Sequence, residues 1–353
     1  MTIVDLMKVP RQQHDVNWLK QMLQYAVELE VSTLPPYLSG LWTISGGAGP
    51  VFDLIQGVTE EEMVHLGLAC NMLTAIGGTP SIYGPFQSKA IHYPGPLPGG
   101  VRPQLTVYLA GLSKRYIKDV FMQIEYPEKG PVALALGDTY PTIGAFYDAI
   151  LDGFKLNSSN LKLGTANQLA ACFGQEDLPC PEDMLQVFVV STMADVEEAI
   201  TEIKDQGEGC TDSPDSPDFG TQPVTGKFEL AHYYKYAEIW HEHLLVQDGG
   251  KWQYTGDRLP FPDVITVKEI PAGGYPNLPA NVHQAIQAFN GVFAQLLQGL
   301  ETAWVQGVQS QLQNAINIMF KLQPAAQAIL KIPMPDGTFY GPTFDVNDVP
   351  PAA

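Results

Sequence analysis

Apolar residues recur at three- and four-residue steps along four long segments of the chain, which is the pattern of amphipathic α-helices. Runs rich in glycine and proline separate the segments, and Gly77 and Gly78 mark the end of the second one. These four segments predict core helices at about residues 16–42, 52–76, 182–206 and 227–246. The fold class that the pattern predicts is all-α, with a four-helix bundle at its centre.

Less regular segments interrupt this predicted bundle. An insertion at about residues 79–181 contains helices predicted at 105–125 and 142–156. Within the first core helix, the Pro35-Pro36 pair predicts a kink or interruption, because proline removes a helical hydrogen bond.

The chain beyond the bundle is predicted to form a second unit. Residues 247–279 are rich in loops, with a hairpin predicted around residues 252–254 and 264–267. Two helices of low charge follow, at about 281–306 and 308–330. We therefore predict a bundle at residues 1–250 and, at residues 251–353, a loop-rich segment with a helical pair that packs on it.

Two Glu-x-x-His motifs lie on the apolar stripes of the predicted helices. Glu62 precedes His65 in the second helix, and Glu229 precedes His232 in the fourth. Residues three positions apart lie on one face of a helix, so each motif can direct a carboxylate and an imidazole to one point. Two such motifs, with one glutamate from each of two other helices, form the ligand set of a dinuclear carboxylate centre.

The first and third helices each offer a glutamate for this centre. Glu30 lies in line with the apolar stripe of the first helix. In the third helix, Glu202 is expected to lie closer than Glu198 to the level of Glu229 along the bundle axis. Glu198 stays the alternative. The predicted metal ligands are Glu30, Glu62, His65, Glu202, Glu229 and His232.

The opposing interpretation is that these glutamates lie at the surface and the histidines in the core. Both motifs lie on apolar stripes, however, where an unpaired charge is costly. A cluster of buried carboxylates is tolerated chiefly when a cation neutralises it. Carboxylates and imidazoles suit iron or manganese better than calcium or structural zinc. We predict two iron ions per chain, with manganese as the alternative.

Three tyrosines lie near the predicted ligands on the same helices: Tyr37, Tyr233 and Tyr236. Aromatic residues at such positions commonly belong to the core. The alternative role is in the wall of a substrate pocket, and we take these three residues as the candidates for catalytic pocket residues.

The composition argues against several classes of protein. Lys and Arg number 19 against 38 Asp and Glu, a net charge of −19, which disfavours binding to nucleic acid. No apolar run reaches the about 18 residues of a membrane span, and the N-terminus lacks the apolar stretch of a secretory signal. The four cysteines contain no Cys-x-x-Cys pair, so we expect no disulfide framework and a cytoplasmic location.

Several segments taken together resemble one protein family, the ferritin-like domain of the iminophenyl-pyruvate dimer synthases. The resemblance covers about residues 15–345. The segments that carry it are Glu28–Glu30, Leu34–Leu38, Glu61–Leu66, Thr142–Tyr147, Gln206–Gly209, Glu229–Tyr234 and Gly341–Phe344.

This resemblance implies a ferritin-like four-helix bundle with inserted helices and a C-terminal helical pair. It also implies a non-haem di-iron protein of bacterial secondary metabolism, with the six ligands named above matching by position. Members resemble an enzyme that couples two imines derived from an oxidised aromatic amino acid, in a larger protein or beside an amino-acid oxidase. We expect the present chain to be a stand-alone version, so the coupling substrate does not transfer to it.

We therefore predict an oxidoreductase that uses dioxygen or peroxide on a small organic substrate, such as an amino-acid-derived imine or aromatic. The alternative is an iron-binding, ferroxidase-like protein without an organic substrate, and a third interpretation is a metal-free partner-binding module. A pocket lined by Met, Phe and Tyr beside the metals would favour the enzyme. We expect no nucleic-acid or membrane partner. We expect a homodimer, which is common among soluble proteins, and an oxidase of the same pathway as a partner.

Overall fold

The computed structural model describes residues 2–126, 142–173, 184–207, 230–249 and 251–350, and helices dominate these ranges. The helices are α1 (Ile3–Met7), α2 (Val16–Leu41), α3 (Pro50–Ala75), α4 (Tyr83–Gln87), α5 (successive turns Lys114–Tyr116, Ile117–Phe121 and Met122–Ile124, the middle one π-helical), α6 (Ile143–Asn157), α7 (Met193–Gln206), α8 (His232–His241), α9 (Ala280–Gln306), α10 (Gln309–Met319) and α11 (Leu322–Leu330). The strands of the described ranges form two short antiparallel pairs, β1 (Ala171–Cys172) with β2 (Gln186–Val187) and β3 (Val246–Asp248) with β4 (Lys251–Gln253). The all-α prediction is confirmed.

The antiparallel pair of α2 and α3 forms the centre of the fold. Asp15 caps α2, because its side chain accepts a hydrogen bond from the backbone N–H of Trp18 at 2.8 Å. Near the same end of the pair, Lys20 of α2 donates to the carbonyl of Gly77, which follows α3. Helices α5 and α8 pack together against this pair, and α6 and α7 form a second group that packs against it.

Helix α2 runs through Pro35 and Pro36 without interruption, so the predicted interruption was wrong. The lost helical hydrogen bond is replaced from outside the helix. Pro36 has no N–H group that could donate to the carbonyl of Ser32. That carbonyl instead accepts a hydrogen bond from the Tyr93 hydroxyl at 2.6 Å. The carbonyl of Pro36 accepts the Tyr116 hydroxyl at 3.2 Å. The half-buried Tyr93 thus compensates a carbonyl that Pro36 leaves without its helical donor.

The third core helix is shorter than predicted. It begins at Met193 rather than near residue 182, because Thr192 caps it in a capping box with Asp195. Ahead of this cap, Gln186 and Val187 are extended and form strand β2.

The fourth core helix ends early, at His241 rather than near residue 246. Glu242 adopts the left-handed conformation with a φ of 60° and closes the helix. The helix also begins later than predicted, at His232, because Ala231 is extended with a ψ of 155°. Residues 227–229 of the predicted helix lie outside the described residues.

Within the insertion, the helix predicted at residues 105–125 begins only at α5. Ser113 caps α5 by accepting a hydrogen bond from the Tyr116 backbone N–H at 3.0 Å. Before it, Val107 is extended and exchanges backbone hydrogen bonds with Gly95 at 2.8 and 2.9 Å. The helix predicted at 142–156 matches α6, which Thr142 caps.

The C-terminal helical pair consists of three helices, because the second predicted helix divides into α10 and α11. The predicted hairpin was also wrong in its partners. Strand β3 pairs with the adjacent β4 around Gly249, whose φ of 56° suits a tight turn. Val264 instead bridges to Ile44, and Val267 bridges to Phe339.

One cysteine departs from the expectation of no disulfide. Cys172 is disulfide-bonded. Cys70 is a free, buried thiol, and burial raises its pKa well above the usual value. A separate expectation concerns membranes: within the ranges that the structure describes, no helix combines the length and apolar character that crossing a bilayer requires.

Asn71 joins three parts of the fold from a fully buried position on α3. Its amide nitrogen donates to the carbonyls of Leu169 and Phe188 at 2.8 and 2.7 Å. Its amide oxygen accepts from the Leu169 backbone N–H at 3.1 Å and from the Trp304 indole N–H at 2.9 Å. The bundle, the segment before α7 and the C-terminal helix α9 therefore meet at one side chain.

We predict that Asn71→Ala lowers the free energy of unfolding by about 3 kcal/mol, because it leaves several buried polar groups without partners. Urea unfolding followed by circular dichroism measures this change. The matched control is Asn314→Ala on the exposed face of α10, which should change stability by less than about 0.5 kcal/mol. Equal midpoints for the two variants would contradict the role of Asn71.

Candidate metal centre

A group of acidic and imidazole side chains is buried between the core helices. Glu30 comes from α2, Glu62 and His65 from α3, His232 from the first turn of α8, and Glu125 directly follows α5. The exposed fractions of Glu30, Glu62, His65, Glu125 and His232 are 5, 3, 1, 4 and 0 %. Ionisable side chains are this deeply buried only when they are paired or bind a metal.

These residues form two clusters that share one carboxylate. Glu30, Glu62 and His65 make the first cluster, and Glu62, Glu125 and His232 make the second. Within each cluster, one ligand atom from every residue lies within 4.8 Å of the others. The donor set, carboxylate oxygens with imidazole nitrogen, suits a transition-metal ion in each cluster. Glu62 belongs to both clusters, so its carboxylate could serve as a ligand in each.

The Nδ1 atoms of both histidines face the carboxylates. His65 Nδ1 lies 3.7 Å from Glu30 Oε2 and 3.5 Å from Glu62 Oε1. His232 Nδ1 lies 3.0 Å from Glu62 Oε1 and 3.4 Å from Glu125 Oε2. Among the described residues, His232 Nδ1 has no hydrogen-bond partner, although it is fully buried. A buried nitrogen without a hydrogen-bond partner, facing the carboxylates of Glu62 and Glu125, fits a metal ligand.

The Nε2 atoms point away from the clusters and bind outer residues. His65 Nε2 donates to Gln206 Oε1 at 2.8 Å, and His232 Nε2 donates to Glu61 Oε2 at 2.7 Å. Lys235 in turn donates to both oxygens of Glu61 at 2.8 Å. Metal-binding histidines almost always bind such an outer acceptor, which fixes the ring and its tautomer.

Hydroxyl groups hold the three cluster carboxylates in place. The Tyr147 hydroxyl of α6 donates to Glu30, and the Tyr37 hydroxyl of α2 donates to Glu125. The Thr33 hydroxyl donates to Glu62 Oε2 at 2.7 Å. Each carboxylate is therefore held by at least one hydroxyl.

Burial and charge shift the pKa values of the cluster in opposite directions. Burial raises the pKa of Glu30 and of Glu125. Burial also opposes ionisation of Glu62, but the adjacent imidazoles of His232 and His65 lower its pKa to about 2. For His65, burial favours the neutral ring, yet Glu30 and Glu62 raise its pKa to about 10. The protein without metal therefore holds a proton on His65 at neutral pH.

The structure brings together four of the six predicted ligands: Glu30, Glu62, His65 and His232. Glu229 lies outside the described residues. Glu202 is half-buried on α7 and belongs to neither described cluster, while the alternative, Glu198, is exposed. One turn beyond Glu202, the buried Gln206 accepts a hydrogen bond from His65.

Glu125 was missed in the sequence, although the sequence contains a signal for it. Ile117, Phe121 and Glu125 follow at four-residue steps, so the glutamate ends an apolar stripe. The stripe also contains a π-helical turn, and such turns are frequent at functional sites.

The tyrosines predicted for the pocket lie in two places. Tyr37 and Tyr236 are fully buried with ring centroids 5.3 Å apart, and the Tyr236 hydroxyl has no hydrogen-bond partner in the described part of the chain. Tyr233 is half-buried and packs on the rings of Tyr126 and Tyr234. Tyr147, the hydroxyl donor to Glu30, was not predicted.

A cavity of about 30 Å³ adjoins the clusters. Apart from the cluster residues, its wall is mainly aliphatic: Leu29, Leu97, Ile124, Ile143 and Ile203. This volume holds one or two water-sized molecules. The space beside the buried carboxylates is therefore small and largely apolar.

Known proteins resemble this arrangement at the level of the fold. The model of the ferritin-like family matches residues 23–241. The crystal structure of a ferritin-like protein from Caulobacter vibrioides matches with a TM-score of 0.55 and 22 % sequence identity, covering 90 % of this chain and 96 % of that chain. No curated protein matches the sequence. The predicted ferritin-like fold is confirmed, and the chain belongs to the ferritin-like family.

Proposed function

We propose that this protein is a dinuclear non-haem iron oxidase or oxygenase that uses dioxygen or peroxide on a small organic substrate. The observation that carries this proposal is the pair of buried clusters that share Glu62. A shared carboxylate with an imidazole on each side is typical of the dinuclear carboxylate centres of helical bundles.

In this proposal, each cluster holds one iron ion, with manganese as the alternative. Glu30 and His65 would bind one ion, and Glu125 and His232 would bind the other. Glu62 would be a ligand to both. Iron held by such ligands supplies the electrons for the reduction of dioxygen or peroxide. Glu229 stays a predicted ligand from the sequence, whereas Glu202 belongs to neither described cluster and is not part of the proposed set.

The surrounding residues have separate tasks. Tyr147 and Tyr37 keep the outer carboxylates Glu30 and Glu125 in one orientation. The aliphatic wall of the cavity keeps water from the centre, which limits side reactions of an oxidising site. Burial raises the pKa of the Tyr236 hydroxyl well above its usual value, and the charges of Glu125, Glu62 and Glu61 add to this effect. The hydroxyl therefore keeps its proton at neutral pH.

The substrate class that we propose is an amino-acid-derived imine or aromatic, in line with the resemblance to the dimer synthases. The cavity of about 30 Å³ accommodates dioxygen but no such organic molecule. Wall residues must move to admit the substrate, as in many enzymes that close around their reactants. A homodimer and a partner oxidase of the same pathway stay predictions.

A second function, ferroxidase-like iron binding without an organic substrate, is favoured by the same small cavity volume. The two functions differ in their products. Protein loaded with Fe(II) should be exposed to oxygen with a panel of amino-acid-derived imines and aromatics, followed by mass spectrometry. Substrate-dependent oxygen uptake with a modified organic product supports the enzyme. Iron oxidation beyond two ions per chain, with every organic compound unchanged, would support the ferroxidase instead.

We predict that Glu62→Gln abolishes most metal binding at both positions, because Glu62 belongs to both clusters. The wild-type protein should bind about two irons per chain, and the variant close to none. Metal analysis after anaerobic reconstitution measures this. The matched control is Glu60→Gln, because Glu60 contacts Gln56 at the helix surface. Two irons in the Glu62 variant would refute the shared-ligand arrangement.

We also predict that Glu125→Gln removes about one iron per chain, whereas Glu202→Gln retains both. The reason is that Glu125 belongs to a cluster and Glu202 does not. The same metal analysis distinguishes them, with circular dichroism to show that both variants fold. The reverse result would restore Glu202 as the ligand from the third helix.

Metal affinity should rise with pH between about 6 and 8. The pKa of His65 is raised to about 10, so the metal-free ring is protonated in this range and must lose its proton when Nδ1 binds a cation. One released proton corresponds to an affinity increase of about tenfold per pH unit. Calorimetric titrations in buffers of different ionisation enthalpy count the protons. An affinity independent of pH would contradict this assignment.

A further inference from the structure

The two clusters are built alike in their inner contacts. Each has its own glutamate, Glu30 or Glu125, that accepts a tyrosine hydroxyl, from Tyr147 or Tyr37 respectively. Each also shares Glu62 and presents one histidine Nδ1 atom. From these contacts alone, the two metal positions would bind ions about equally well.

The two clusters differ in the residues that accept hydrogen bonds from the Nε2 atoms of their histidines. The acceptor for His65 Nε2 is the neutral amide oxygen of Gln206, at 2.8 Å. The acceptor for His232 Nε2 is a carboxylate oxygen of Glu61, at 2.7 Å. Lys235 binds both oxygens of that carboxylate at 2.8 Å. His65 therefore donates to a neutral amide, whereas His232 donates to a charged carboxylate.

A charged acceptor changes the imidazole as a ligand. A hydrogen bond to a carboxylate is roughly twice as strong as one to a neutral acceptor. It also makes the opposite nitrogen of the ring a better electron donor to a metal. Glu61 and Lys235 are 12 and 16 % exposed in their side chains, so solvent screens this interaction weakly.

The pair with Lys235 keeps Glu61 charged. The Lys235 ammonium group donates to both carboxylate oxygens of Glu61 at 2.8 Å, which is the geometry of an ion pair. Lys235 thus offsets the cost of burying the carboxylate. Glu61 and Glu62 are neighbours in α3. Glu62 would be a ligand to both ions, and Glu61 supports His232, a ligand to one of them.

We propose that the two metal positions are inequivalent, and that the His232 position binds a divalent cation more tightly and fills first, because Glu61 supports His232 as a charged positioning residue. This inference rests on the proposed function, since it requires that both clusters bind metal.

The test is an anaerobic titration of the metal-free protein with Co(II), followed by calorimetry and visible absorption. Wild-type protein should bind two ions in separate steps whose affinities differ by about 10–100-fold. Glu61→Gln should weaken the first step and bring the two affinities to within about threefold. Glu60→Gln, the same change at the preceding surface position, should preserve the separation.

Two further sets of variants make the test specific. Gln206→Glu places a carboxylate behind His65 and should strengthen the second step. Glu125→Gln should remove the tight step, and Glu30→Gln the weak one. Circular dichroism shows whether each variant is folded, and the Gln206 variant tests the idea even if Glu61→Gln does not fold.

The outcomes separate this inference from the proposed function. No Co(II) binding by the wild type would overturn both. Two ions bound with equal affinity would leave the dinuclear site standing and overturn the inequivalence. A separation that survives Glu61→Gln, or loss of the weak step in Glu125→Gln, would likewise show that Glu61 does not set the order.

Discussion

Three carboxylates buried beside two imidazoles are the constraint on which the rest of the structure depends. Removing such charges from water costs several kcal/mol per ion unless partners compensate for it. The surrounding residues supply that compensation through hydroxyl, amide and carboxylate contacts, from Thr33, Tyr37, Tyr147, Gln206 and Glu61. Protons on the histidines and divalent cations are two ways to balance the same negative charge, so a metal at this site would bind in competition with protons.

The helices bring these groups together from distant parts of the chain. The pair α2 and α3 contributes Glu30, Glu62 and His65, and the Tyr93 hydroxyl binds a carbonyl of α2 that Pro36 leaves without a helical donor. Helices α5 and α8 supply the second cluster, and α6 and α7 supply outer contacts to the first. Every core helix thus contributes to the site, which couples the packing of the bundle to its chemistry.

The sequence predicted the parts of this arrangement that follow from regular spacing. Glu62 and His65 lie on one helical face, and Glu30 lies on the apolar stripe of α2, so periodicity alone identified them. Glu125 was missed because α5 is short and contains a π-helical turn, so no long regular stripe pointed to it. Gln206 and Glu61 were missed because their roles depend on tertiary contacts across the bundle. The early end of α8 depends on the left-handed conformation of Glu242, which side-chain patterning does not reveal.

The most direct test of the central claim is anomalous diffraction at the iron edge from crystals of the iron-loaded protein. A dinuclear centre should give two iron peaks about 3.5–4 Å apart, on either side of the Glu62 carboxylate, with one near His65 and the other near His232. A single peak, or iron bound only at the acidic surface, would contradict a dinuclear centre in this bundle.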